Sequence, residues 1–393
     1  MKPLSEYSKM KLISFTFCLI ITKIQSACVP AFHDLVCENL SDVRNGKSES
    51  LVTLTIGNTK KSPIETLSAG TFKKYTNLEE LTIISSVNKL EVDAFRNLSK
   101  LLVLKLYKNS IAVLPDFAFI VLPQLTKLDL QDNNIQQIST YGPFIYNTIK
   151  TVNLSFNKLR DLNWQCFASP GLERLIITNN KIQEIGIEGV LSKDLITLNL
   201  DSNEINHLED DVFQDSQKLE ELILSRNRFS TLWTKFKLKS LKKLDFSHNK
   251  ITTIHESVFD GLPQVEQIYL NDNLLKKLPP QFAKIHLHTV HLHNNRLENL
   301  EMIYLNPSFE YELTFSRNPL PCSCLDNWIV FMELRRITTT DCHREFYGNG
   351  NNPTCIVIDA EWDSGKCSHS RTEDVDEYVY KFLDMNNNTD ADC

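Results

Sequence analysis

Between Leu125 and Ile138 the chain reads LTKLDLQDNNIQQI, and its pattern L-x-x-L-x-L-x-x-N-x-[IL] returns every 22 to 24 residues. The asparagine of the pattern falls at Asn109, Asn133, Asn157, Asn180, Asn203, Asn227, Asn249, Asn273, Asn295 and Asn318. Two degenerate turns begin earlier, at Leu51 and Leu78, so about twelve turns follow one another. A fixed period of this length marks an array of one small unit, and no other feature of the chain restricts its fold as strongly.

A second column runs in step with the first. Seventeen to twenty-one residues after each starting apolar position stand Phe72, Phe95, Phe119, Phe144, Phe167, Val190, Phe213, Phe236, Phe259, Phe282 and Tyr304. A single turn cannot bury its own apolar residues, whereas stacked turns share a continuous core. The two columns predict leucines behind a parallel sheet and a phenylalanine spine under the opposite wall. The asparagine sits where the chain leaves the strand, and its amide can bond backbone groups that would otherwise be buried unpaired. These residues are read as structural, not catalytic. Asp201, on an outward strand position, is expected to be solvated.

With these columns in view, the chain resembles an extracellular leucine-rich repeat protein with repeats of about 24 residues over roughly residues 28 to 370. The resemblance implies an α/β solenoid, a leucine-rich repeat horseshoe with a concave parallel sheet and cysteine-rich caps at both ends. It divides the chain into a signal peptide (1–27), an N-terminal cap (28–50), repeats (51–318), a C-terminal cysteine cap (319–370) and an acidic tail (371–393).

Terminal turns would expose apolar faces, so the ends of a solenoid need caps. Cys28 and Cys37 resemble a reduced form of the family's N-terminal cap, with two cysteines in place of four. NPLPCSCLDNWIVF, from Asn318 to Phe331, resembles the start of the C-terminal cap, with Cys322, Cys324 and Trp328; Cys342, Cys355 and Cys367 follow. The resemblance implies crossed pairing of Cys322 and Cys324 with two of the three later cysteines. The residues themselves leave the pairing open. Nine cysteines remain after the signal segment, so at least one is free or bridged to another molecule. Cys166, beside the spine residue Phe167, reads as a buried free thiol.

Lys9 and Lys11 precede the apolar run LISFTFCLII, and Ser26 and Ala27 close the segment, which together read as a secretory signal. No later stretch reaches the roughly 18 to 20 apolar residues of a membrane span, so the expected destination is extracellular, in keeping with the cysteines. The formal charge of −7 leaves the chain beyond the signal near −10, which argues against nucleic acid as a partner. Acceptor triplets for N-linked glycan stand at Asn39, Asn97, Asn153 and Asn387. A glycan on Asn153 would stand on the concave face.

In IHLHTVHLHNN, four histidines lie within eight positions, at 286, 288, 291 and 293. Strand side chains alternate, so Leu287, Val290 and Leu292 point inward, Thr289, His291 and His293 point outward, and His286 and His288 precede the strand. Two imidazoles do not make a stable zinc site without a third and usually a fourth ligand. Glu312 is the only good candidate and lies diagonally, so no metal is expected; the alternatives are a pH-sensitive contact and plainly solvated rings. Nor does the chain carry G-x-S-x-G, H-E-x-x-H or a phosphate loop, and it is expected to be no enzyme and to need no cofactor.

The outward strand positions instead offer a long mixed surface. Lys127, Asp129, Arg174, Ile176, Glu221, Ile223, Lys243, Asp245, Tyr269, His291 and His293 are its candidate ligand-binding residues, for a protein or glycan ligand rather than lipid. Among extracellular repeat proteins the chain most resembles the short secreted immune proteins of insects, without the coiled coil of longer members. That implies recognition in innate immunity; the alternative is a matrix or adhesion protein acting in development. In the tail, Val375, Tyr378, Val379, Phe382 and Leu383 fall at helical spacing behind four acids, and Cys393 can pair at home or bridge to a disulfide-linked partner.

Overall fold

The computed structural model describes residues 28–31, 34–37, 51–57, 65–84, 87–138, 142–144, 148–185, 191–209, 212–299 and 312–320. The signal segment, Asn39, Asn387, Val190, Tyr304, the cysteines from Cys322 to Cys393 and the tail helix lie outside these residues. So does the expected C-terminal cap.

The repeats fold as a solenoid built on one sheet of fourteen strands in chain order. Cys28–Ala31 and Asp34–Cys37 pair antiparallel, and twelve parallel strands follow, from Thr53–Gly57 to Glu312–Thr314. The first two repeat strands, Thr53–Gly57 and Glu80–Ile84, have five residues, and those of the regular repeats have three. In each short strand the middle residue is buried (Leu128, Val152, Leu175, Leu198, Leu222, Leu244, Ile268, Val290) and its neighbours face outward, as alternation requires. At the N-terminal end Cys37 is disulfide-bonded, and the strand register sets Cys28 opposite it.

The asparagine column is a ladder between coils. Asn203 is representative: its Nδ2 donates to the Ile177 carbonyl of the preceding coil at 2.8 Å and to the Leu200 carbonyl of its own at 3.0 Å. Its Oδ1 accepts the Ile182 N–H, again of the preceding coil, at 3.1 Å. The same three-way pattern recurs at Asn133, Asn157, Asn227, Asn249, Asn273, Asn295 and Asn318, and all ten column residues are at most 9% exposed. Asparagine suits the place because one planar amide offers two donors and an acceptor.

The residue before each ladder asparagine has positive φ, between 51° and 57°: Lys108, Asp132, Phe156, Asn179, Ser202, Arg226, His248, Asp272, Asn294 and Arg317. This left-handed step turns the chain off the strand and aims the next side chain inward. It also lifts the side chain of the positive-φ residue toward the sheet's rim, where Phe156 is 50% exposed.

On the opposite wall the phenylalanine spine forms, but not as one run. Phe72, Phe95, Phe119, Phe144 and Phe167 stack with centroids 6.2, 6.0, 6.3 and 5.4 Å apart. Phe213 stacks on Phe236 at 6.4 Å, whereas Phe259 meets Phe282 edge-on at 5.5 Å. Ring spacings of this size exceed the roughly 4.8 Å between strands, so the stack bends with the sheet on its inner, concave side. Gly261 passes so close to Phe236 that a Cβ there would overlap the Phe236 carbonyl. Cys166 is the free, fully buried thiol the sequence led us to expect, and burial pushes its pKa up.

Asp201 departs from expectation. It is not a solvated strand residue: its side chain is 19% exposed, accepts from Ser225 Oγ at 2.6 Å and pairs with Arg226 at 3.1 Å. Replacing Asn203 by Ala removes the partner of the Ile177 carbonyl and of the Ile182 N–H, while the Leu200 carbonyl keeps Asn227, and should cost about 1 to 3 kcal/mol. Replacing the exposed Glu184 by Ala should stay within about 0.5 kcal/mol. Equal shifts of the two denaturant midpoints would show that the ladder is not what holds these coils.

Candidate functional site

The strand register fixes the order of two outward rows on the concave sheet. The first row runs Lys127, Thr151, Arg174, Thr197, Glu221, Lys243, Gln267, Thr289, Glu312. The second runs Asp129, Asn153, Ile176, Asn199, Ile223, Asp245, Tyr269, His291, Thr314. All the strand positions named as ligand-binding candidates face outward, exposed or half-buried.

Several of them also serve the coil. Asp129 Oδ1 accepts the Gln131 N–H at 3.0 Å, and Asp245 Oδ1 accepts the Ser247 N–H and hydroxyl at 2.9 and 2.7 Å. Asn153 does the same for Ser155 and donates its Nδ2 to Gln131 at 3.1 Å, so the amide that a glycan would use is a rung of the face. Asn97, in contrast, is an exposed residue with φ of 82°. Glu221 accepts from Thr197 at 3.2 Å. Lys127 and Arg174 are exposed and stand two strands apart. Ile176 and Ile223 are likewise two strands apart, across Asn199.

Near the C-terminal end of the face the candidates converge. Lys243 Nζ lies 5.2 Å from the Tyr269 ring centroid, and the His291 ring stands 4.8 Å from it on the next strand. His291 and His293 are 6.0 Å apart, so the expected pair does share a surface. His291 Nε2 is 3.7 Å from Glu312, the diagonal carboxylate, and His293 Nδ1 is 2.7 Å from the Thr314 hydroxyl. His286 is exposed and His288 leans toward Glu266 at 3.8 Å, away from the pair.

Two partners in this cluster escaped the sequence reading. Asp272 lies 3.7 Å from His293 and 3.4 Å from His248, and it accepts from Asn294 at 2.6 Å. His248, Asp272 and Asn294 all hold the positive-φ position before a ladder asparagine. The repeat alignment contains that column, but strand alternation alone does not say that its side chains reach the face.

The Tyr269 phenol sits among these groups, and burial, then Asp245, then Glu312 raise its pKa above 10.0. Its hydroxyl lies 3.4 Å from Gln267 Oε1, the acceptor for its proton. Among the described residues no group of three or more His, Cys, Asp or Glu side chains is arranged to hold a metal ion. None of their helices is long and apolar enough to cross a membrane.

Comparison with known proteins bears on this geometry. A leucine rich repeat model matches residues 193–236 and 233–275, and a BspA type leucine rich repeat region model of six copies matches 65–190. Bovine osteomodulin is 26% identical over 254 residues, 63% of this chain and 53% of its own length. Chicken epiphycan is 30% identical over 130 residues, 32% of this chain and 39% of its own length. The chain therefore spans about half or less of these relatives. Among solved structures, a chain of the octameric complex of latrophilin 3, Unc5D and FLRT2 (LRR) superposes with a TM-score of 0.60 at 19% identity. That superposition covers 80% of this chain and 91% of the other.

A raised phenol pKa disfavours the phenolate in the folded state, so its contribution to stability holds below pH 10 and is lost as pH climbs through the folded value. An ultraviolet difference titration of wild type against Tyr269→Phe should show one tyrosine ionising above the ordinary range. Wild type should also lose more stability than Tyr269→Phe on passing to strongly alkaline pH. A difference curve centred at or below pH 10 would contradict the position assigned to the ring.

Proposed function

The chain is a leucine-rich repeat protein, and from that premise we propose that it is a secreted, non-enzymatic recognition protein that binds a protein ligand on its concave face. Such folds typically serve as protein-interaction modules. The observation that carries the reading is the face itself. Consecutive strands hold exposed and half-buried Lys, Arg, Glu, Ile, Tyr and His side chains in register, about 4.8 Å apart along each row. Polar rims with isolated apolar and aromatic anchors suit a protein contact.

The setting favoured is the extracellular matrix or cell surface, because osteomodulin and epiphycan are extracellular matrix proteins. The innate-immune role rests on the sequence resemblance. A glycan as ligand, a Cys393-linked partner and the disulfide-bonded caps are further parts of the proposal. The caps and the covalent partner concern residues 28 and 37 at one end and 322 to 393 at the other.

The test uses the full chain recovered from secreting cells. Partners purified from matrix and body fluid are measured by surface plasmon resonance against wild type, Arg174→Glu/Ile223→Ser on the concave face, and Val113→Ser/Ile120→Ser on other, exposed positions. Loss of a central anchor costs about 1 to 2 kcal/mol or more, so the concave variant should weaken binding at least about tenfold. The Val113/Ile120 variant should bind as wild type. Unchanged affinity in the concave variant would remove the reading.

A further inference from the structure

Tyr269 occupies an unusual position on this face. On its first-row side Glu221 stands beside Lys243, and Lys243 spreads its ammonium over the ring at 5.2 Å. Along its own row it lies between Asp245 and His291. Beyond His291 come Glu312 and Thr314, and the turn position after that strand is Arg317. On the rim side are Asp272 and His248, next to which Arg226 is taken up by Asp201 at 3.1 Å. Glu266 faces away, toward His288.

The cluster is thus acidic around an aromatic ring while its imidazoles are neutral. The phenol proton is directed at Gln267, which leaves the phenol oxygen an acceptor. Asp245 spends Oδ1 on Ser247, and Glu312 is 40% exposed. An ammonium or guanidinium arriving over Tyr269 would find acceptors on both flanks and an aromatic face beneath, the chemistry that Lys243 already samples from within the chain.

We propose that this end of the concave face is the docking site for a basic segment of the partner protein, a lysine or arginine side chain seated at Tyr269 between Asp245 and Glu312, and that protonation of His248, His291 and His293 releases it. The inference rests on the concave-face reading above and names the chemistry of its ligand. The release follows from distances already present. His291 Nε2 is 3.7 Å from Glu312, and His293 and His248 reach Asp272 at 3.7 and 3.4 Å. A proton on each ring turns these contacts into ion pairs within the chain, withdraws the carboxylates from the ligand and adds positive charge opposite a positive segment. The rings come from two coils, His248 from one and His291 and His293 from the next but one, and their protonations are coupled through the shared Asp272 and the tilted His291–His293 pair.

The probe is a twelve-residue peptide of alternating lysine and small polar residues, with a matched glutamate peptide, followed by fluorescence anisotropy on the intact secreted chain. At about pH 7.4 the lysine peptide should bind and the glutamate peptide should not, and at about pH 5.5, below the imidazole range, binding should fall about tenfold. Glu312→Gln, an isosteric change at a half-exposed position, should weaken binding at pH 7.4, as should Tyr269→Ala. The triple variant His248→Gln/His291→Gln/His293→Gln should lose the pH dependence, its affinities at pH 7.4 and pH 5.5 agreeing within about twofold whatever their absolute strength. The inference is overturned by preference for the glutamate peptide, by a wild-type affinity indifferent to pH, by undiminished binding in Glu312→Gln, or by a pH response that survives in the triple variant. Each of those results leaves the Arg174/Ile223 test of concave-face binding unaffected, so the two failures are distinguishable.

Discussion

One planar amide per coil holds this molecule in register. Each ladder asparagine ties its own turn to the one before it, through a carbonyl and an N–H of that earlier turn. An aspartate there would set a carboxylate against buried carbonyl oxygens, and a serine would supply one donor where two are used. The contact is also directional along the chain, so the stack is built as a series of links rather than as a single packed core. The left-handed residue before each asparagine is the geometric condition for it, and the chain accepts lysine, phenylalanine, serine, arginine and histidine there as well as Asn and Asp.

From that constraint the face follows. Because the rungs fix each strand against its neighbour, side chains 22 to 24 residues apart in sequence become neighbours about 4.8 Å apart in space. Part of the resulting surface is spent on the coil: Asp129, Asn153, Asn199 and Asp245 each accept the N–H two residues on. What remains for a ligand is uneven. Lys127, Arg174, Ile176 and Ile223 stand apart from one another, while Lys243, Tyr269, His291, His293 and Glu312 touch in sequence across four strands.

Much of this was legible in the residues. The leucine and asparagine columns specify strand, turn and inward face coil by coil, and the outward placement of His291 and His293 follows from alternation alone. The phenylalanine column predicts an aromatic wall but not its change from stacked to edge-on at Phe259 and Phe282, since ring orientation depends on how closely adjacent backbones pass, as at Gly261. Asp201 was misjudged as solvated because its partners, Ser225 and Arg226, belong to the next coil and meet it only through side-chain rotamers. Asp272 and His248 were missed for the same kind of reason. The left-handed turn swings them onto the rim, and a strand pattern carries no sign of that.

The central claim is that the amides link each coil to its predecessor, and amide hydrogen exchange of Asn227→Ala tests it most directly. In the wild type the Ile205 N–H donates to Asn227 Oδ1 at 3.0 Å, and the Phe229 N–H donates to Asn249 Oδ1 at 3.1 Å. Removing the Asn227 amide should speed exchange at Ile205, one coil back, while Phe229 in its own coil stays protected. Unchanged protection at Ile205, or equal loss at both sites, would contradict the account.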